Sequence, residues 1–182
     1  MLKLNIQMFA ENETQTNIMR YDMADYMDVS DSSATEDYAL MGVGFETLDE
    51  NPNAQEDEKI YVNQKSSSSK VKSYQPEFSF SAEMIKEQEA TMKIFDIARN
   101  QKTGNDAMVN YVRVELFNPV ESKSDTYKAR KFKTSVIVSS NSGAGGDPLA
   151  LEGSLKAVGD FIDGEFNTAT RTFTASSDLV EE

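Results

Sequence analysis

The sequence predicts a mainly β protein with one flanking α-helix, folded as a β-sandwich or small barrel. Three observations carry that expectation. Over residues 125–175, strand-forming runs alternate with glycine turns. Over residues 109–117, apolar and polar side chains alternate with the period of two that a pleated strand imposes. Only residues 83–102 place apolar side chains at helical spacing. Strands, then one helix, then more strands is the order expected of a helix laid against a sandwich or barrel.

Residues 1–36 are polar and acidic, and an acidic N-terminal arm or loop is expected there. Asp22, Asp25, Asp28 and Asp31 recur every third residue. A calcium loop wants carboxylates at alternate positions and a central glycine, so these four are expected to be solvated. The opening Met1-Leu-Lys-Leu-Asn-Ile-Gln-Met-Phe-Ala10 lacks the continuous apolar stretch of a secretory signal. Scattered apolar residues in 17–27 could dock on a neighbour. The folded domain is expected at 37–177, with an acidic tail at 178–182.

Within that domain a first strand is expected over 38–48, with turn chemistry at 49–53. Residues 59–63 form a second short strand, and the serines at 66–69 a hairpin loop. A third strand covers 71–80, with Tyr74, Phe78 and Phe80 on one face and Pro76 marking an edge or bulge. The helix at 83–102 turns Met84, Ile85, Gln88, Met92, Phe95 and Ala98 to a sheet, with Ile94 and Ile97 widening the stripe. Thr103-Gly104-Asn105 stops it. In 109–117, Val112, Val114 and Leu116 face one way and Tyr111, Arg113 and Glu115 the other, as in a half-buried antiparallel strand. Asn118-Pro119 opens a polar loop. The strand from Tyr127 then sets Phe132, Thr134, Val136 and Val138 opposite Lys131, Lys133 and Ser135.

Little here points to catalysis. The chain has no Cys and no His, which removes thiolate chemistry and the commonest general base. No two carboxylates stand out as an acid/base couple. Gly143-Ala-Gly-Gly146 lacks the lysine and hydroxyl residue that end a phosphate loop, and a strand-like run follows it, so a mobile hairpin loop is expected. Neither an enzymatic activity nor a cofactor is expected. A net charge of -13 repels nucleic acid over most of the surface. No segment is apolar for long enough to span a membrane. Against this acidity, Lys123, Lys128, Arg130, Lys131 and Lys133 form a cationic cluster. It suits a phosphate strip, a complement to acidic surface on another copy, or a solvated strand face.

One resemblance gives these pieces an order. Lys59-Ile-Tyr-Val-Asn-Gln-Lys65, Val71-Lys-Ser-Tyr74, Pro76-Glu-Phe-Ser-Phe80, Arg99-Asn-Gln-Lys-Thr-Gly104 and the strand at 109–117 resemble a bacteriophage major tail protein of the long-tailed, non-contractile type. So do Tyr127-Lys-Ala-Arg-Lys-Phe132, Val158-Gly-Asp160, Gly164-Glu-Phe166 and Thr172-Phe-Thr174. The resemblance implies the tail-tube form of the sandwich or barrel, joined side by side into hexameric rings that stack. Neighbours' inner sheets would merge around a channel for DNA ejection. Implied partners are further copies of itself and the tape-measure, tail-tip and tail-terminator proteins. Phage DNA would pass without specific binding, through an acidic lining. The implied location is the virion tail, with host cytoplasm during assembly. Candidate inter-subunit contacts are Lys128, Arg130, Lys131, Lys133, Asn118, Pro119, Ser142, Gly143, Gly145 and Gly146, with the N-terminal arm bridging rings. Two alternatives stand beside it: a non-catalytic β-sandwich binding module on a virion or cell surface, and a hydrolase built on carboxylates alone.

Overall fold

The computed structural model of the protein describes residues 16–31 and 35–179. The expected opening segment and the end of the acidic tail lie outside the described residues. Eleven strands and one α-helix are described. They are β1 (Met23–Asp28), β2 (Tyr38–Leu40), β3 (Phe45–Asn51), β4 (Ala54–Lys59), β5 (Ser68–Tyr74), β6 (Glu77–Glu83), α1 (Glu89–Arg99), β7 (Met108–Pro119), β8 (Thr126–Ser142), β9 (Ala150–Ala157), β10 (Ile162–Asn167) and β11 (Thr172–Ala175). Nine strands form one antiparallel sheet in the order β2-β1-β7-β8-β9-β6-β3, with β10 and β11 branching from β8. Among the described residues the other two, β4 and β5, pair only with each other.

The branch comes from the length of β8. Of its 17 residues, 127–135 pair with β7 along one side. On the other side residues 126–131 pair with β10 and residues 134–142 with β9. The sheet therefore divides there and both of its faces are covered. Alternate residues of β1, β7 and β8 feed two cores. Met27, Tyr111, Phe132 and Val136 enter the larger one, with Phe78 and Phe80 of β6, Leu151 and Leu155 of β9, and Ala90, Ile94 and Ile97 of α1. Tyr26, Val112, Val114 and Ala129 enter the smaller one, with Tyr38 and Phe166. Aromatic rings interlock in both. Phe78 lies 4.6 Å from Tyr111 and 4.9 Å from Phe132, and Phe166 lies 4.4 Å from Tyr26, between ring centroids. These separations lie at the short end of the favoured range of about 4.5–7 Å for aromatic pairs.

Several expectations are corrected here. Residues 111–114 are not half-buried: Tyr111 and Arg113 are covered like Val112 and Val114, because a second layer lies over that face. The N-terminal region is not an arm as far as residue 36, since β1 sits between β2 and β7 inside the sheet. Asp25 is buried, not solvated. The helix begins at Glu89. Residues 77–83 instead extend the ladder against β9, and Met84 N–H still donates to Leu149 O. Its buried residues are Ala90, Thr91, Ile94 and Ile97. Ile94 and Ile97 are buried as expected, while Met92, Phe95 and Ala98 lie one step round the helix and are only partly covered. The expected strand at 38–48 breaks at a turn over 41–44, where Gly44 takes a φ of +92° that favours glycine. Residues 60–63 are loop. Pro76 divides the strand expected at 71–80, which leaves Tyr74 exposed while Phe78 and Phe80 are buried.

The ends of the strand path approach each other. The Arg20 guanidinium, just before β1, reaches Leu48 O of β3 at 3.4 Å. No ladder joins β1 to β3. The sheet thus curls toward a barrel whose seam is held by side chains, with a cleft of about 630 Å³ along it lined by Met23, Leu40, Phe45, Leu48 and Leu116.

Candidate assembly surfaces

An ionic cluster holds the seam. Asp25 accepts from the Tyr111 hydroxyl and from Arg20 NH2, each at 2.5 Å. Arg113 Nε lies 3.7 Å from Asp25 Oδ1, and its NH1 lies 3.4 Å from Glu50 Oε2. Arg130 closes a two-pronged pair on Glu50 at 3.0 and 2.9 Å. Three guanidinium groups thus share two carboxylates. Burial, and then the Asp25 charge, push the Tyr111 hydroxyl well above its ordinary pKa. Burial works against the Arg130 charge, but the hydrogen bonds and field of Glu50 raise its pKa on balance. β3 is pinned across the opening by Glu50, and N-terminal residues are pinned by Arg20.

This cluster redistributes the cations expected at an interface. Arg130 belongs to Glu50, Lys131 pairs with Glu36 at 2.8 Å, and Lys123 pairs with Glu165 at 2.7 Å. Among the described residues, Lys128 and Lys133 have no ion pair and are exposed. Asn118 and Pro119 end β7, where Asn118 Nδ2 donates to Glu115 and Pro119 stands opposite Tyr127. Ser142 ends β8, and Gly143, Gly145 and Gly146 lie in the exposed loop to β9. The structure therefore puts Lys128 and Pro119 near one end of β8 and the glycine loop at the other.

Sequence reasoning expected a hairpin turning at 66–69, but it missed the first strand of the most exposed surface, and the turn lies at 60–67. β3 and β6 leave the sheet together, kink at Asn53 and Pro76, and continue as β4 and β5. Asn53 takes a φ of +46°, and its carbonyl accepts from Gln75 N–H across the kink. Every residue of β4 and β5 is exposed. At the usual rise per residue this arm is about 20 Å long. Ile60, Tyr61 and Val62 stand in water at its tip. Residues 55–58 are Gln-Glu-Asp-Glu, a strand with no apolar alternation, so period-two reasoning passes over it. The missed signal was a polar run of strand length next to a serine run that closes a hairpin.

Other features are less distinctive. Among the described residues no group of three or more His, Cys, Asp or Glu could hold a metal ion. No helix among them is long and apolar enough to cross a membrane. A cleft of about 650 Å³ beside α1 brings together Lys93, Lys102 and Lys133 with Asp28, Asp31 and Asp106. Two of its lysines are taken, Lys93 by Asp31 at 2.8 Å and Lys102 by Asp96 at 2.6 Å. The hydrogen bond from Lys93 lowers the Asp31 pKa, and that from Lys102 lowers the Asp96 pKa.

No family model matches this chain, and no curated protein matches it. Among solved structures, a chain from the tail of an empty GTA particle, computed by helical refinement with C6 symmetry, superposes with a TM-score of 0.55. Identity is 8%, over 87% of this chain and 100% of that one. A chain from the six-fold symmetrised baseplate of the anti-feeding prophage gives 0.46 at 7% identity, over 82% and 96% of the two chains. Hcp1 from Salmonella typhimurium gives 0.31 at 13% identity, over 84% and 99%. The class rests on the first of these. The protein has a mainly β, single-helix fold of the tail-tube type.

Proposed function

We propose that this chain is a structural protein whose copies join side by side into six-membered rings, and that the rings stack into the tail tube of a long-tailed, non-contractile phage or phage-like particle. The observation that carries this reading is the fold likeness to the whole length of a chain from a helical tail with C6 symmetry. Two features of this molecule support it. Among the described residues the path ends β2 and β3 each have one unpaired side, and such edges are aggregation sites unless a neighbour completes them. The arm, too, has no core of its own to rest on. A head-to-tail contact repeated between copies closes into a ring, and a second repeats along an axis.

In this reading the channel carries phage DNA. A chain of net charge -13 lets the polyanion slide without specific binding. Lys128 and Lys133 are available for a neighbour's acidic surface, while Arg130 and Lys131 shape the subunit. Asn118, Pro119 and the loop with Ser142, Gly143, Gly145 and Gly146 face adjacent rings. The protein works without catalysis or cofactor, in the virion tail after assembly in the host cytoplasm. Tape-measure, tail-tip and terminator proteins set where the tube starts and ends.

Negative-stain electron microscopy of the purified chain at high concentration tests this, with sedimentation on the same sample. Rings or tubes with six-fold symmetry are expected. Monomers at every concentration, and after co-expression with tail-tip proteins, would overturn it.

A further inference from the structure

The arm is charged strand by strand. β4 holds Glu56, Asp57 and Glu58, β5 holds Lys70 and Lys72, and the loop between them adds Lys65. All six side chains are exposed. Within the chain, Lys59 approaches Asp57 at 3.6 Å and the Ser69 hydroxyl donates to Glu56 at 2.8 Å. Among the described residues no ion pair engages Lys65, Lys70 or Lys72. The acidic side is longer than the arm. β3 runs into β4, its outer edge is also unpaired among the described residues, and its Glu46 and Asp49 are exposed.

Such an element does not hold itself well. A lone two-stranded hairpin is marginally stable in water. Its two outer edges leave rows of N–H and C=O groups open to another strand. Val71 and Tyr74 stay half or more exposed on β5, at 52% and 63%. What would complete this hairpin is a strand of opposite charge on each side, and the chain supplies both kinds.

We propose that arms of neighbouring copies pair edge to edge, the acidic β4 of one against the basic β5 of the next. This rests on the tube reading above and names the contact that orders the copies. In a row of arms pointing the same way, β4 and β5 alternate, so each junction is antiparallel, as it is inside the hairpin. Each junction sets carboxylates against ammonium groups. The wrong orders, β4 on β4 or β5 on β5, set like charges together, which penalises them. The contact therefore has a direction, head to tail, as a closed ring requires. Salt weakens it, because exposed charges are screened over about 8 Å at physiological ionic strength.

The chain has no Cys, so single cysteines report cleanly. Chains carrying Glu56→Cys or Glu58→Cys are mixed with chains carrying Lys70→Cys or Lys72→Cys under tube-forming conditions and oxidised. Each chain has one thiol, so no link can form within a chain. Cross-linked dimers are expected in a mixture and not from either chain alone. A second variant exchanges the charges, with Glu56, Asp57 and Glu58 changed to Lys and Lys70 and Lys72 changed to Glu. It keeps opposite signs on the two strands. It is expected to assemble with itself and to be excluded from wild-type tubes. Wild-type tubes with no cross-link in any of the four mixtures, or tubes that admit the exchanged chain in proportion to its share, would overturn arm pairing and leave the tube reading intact. Chains that stay monomeric throughout would overturn the tube reading, and this inference with it.

Discussion

The body of the molecule and its arm use the same backbone geometry to opposite ends. In β7 both faces are covered, and Tyr111, Val112 and Val114 are fully buried. In β4 and β5 every side chain meets water. A ladder of backbone hydrogen bonds is common to both, so the ladder alone does not make a core. Burial of apolar area does, at about 25 cal/mol per Å² removed from water. The body can therefore fold as one chain, while the arm is left with bonding capacity and exposed apolar groups for other copies.

Substitutions can break or sharpen that contrast. The largest effect is expected from Phe78→Ala, which removes a fully buried ring packed on Tyr111 and Phe132. The loss should be about 4 kcal/mol, seen as a lower urea midpoint. Asp25→Ala is next. It strips the seam cluster of the carboxylate that holds Tyr111, Arg20 and, at longer range, Arg113. Leaving buried donors uncompensated should cost about 3 kcal/mol in the same assay. Gly153→Ala follows, because a Cβ there would stand 2.2 Å from Ile137 O and 3.0 Å from Val138 Cα, where β8 shifts register against β9. A loss of about 2 kcal/mol is expected on thermal melting.

Tyr38→Phe should cost about 1 kcal/mol at neutral pH by removing the hydroxyl that donates to Glu36 at 2.9 Å. It also has a pH signature. Burial, then the charge and hydrogen bond of Glu36, raise the Tyr38 pKa above its ordinary value of 10.0. A pKa raised by folding gives stability that is full below the unfolded value and is lost as pH climbs past it. Wild type should therefore lose stability above about pH 10, and Tyr38→Phe should lose less over that range in a series of urea titrations. The smallest effect belongs to the arm. Replacing residues 54–74 by a short glycine link should change the monomer's stability by less than about 0.5 kcal/mol in urea titration. The same deletion should abolish tubes under the microscope.

The difference between body and arm also explains what could be read from the sequence. The strand-rich class, a helix and the strands at 109–117 and from Tyr127 were legible, because apolar residues at period two mark a strand with a core to face. Phe132, Thr134 and Val136 were assigned to a common face and are buried together. The second buried face was not legible. Arg113 alternates with Val112 and Val114 as a solvent-facing residue would, and only long-range pairing brings Asp25 and Glu50 to it. The basic cluster looked uniform for the same reason. Its members differ by partners 80 to 95 residues away, Glu50 for Arg130 and Glu36 for Lys131. Sequence periodicity starts the helix six residues early because Met84 and Ile85 fit either period, and strand pairing through Glu83 decides between them. The arm was hardest to see, since its strands lack the apolar alternation that identifies most strands.

β8 has one more consequence. Its first residues serve the β10 branch, its last residues serve β9, and β7 runs along its other side. Melting it would open both cores at once. Local opening confined to one half of the sheet is thus suppressed, and loss of the native state should be all-or-none across the body. In hydrogen-exchange terms, the amides of β7 and β8 should share one protection factor close to the global limit, while those of β4 and β5 exchange freely until a neighbour arrives.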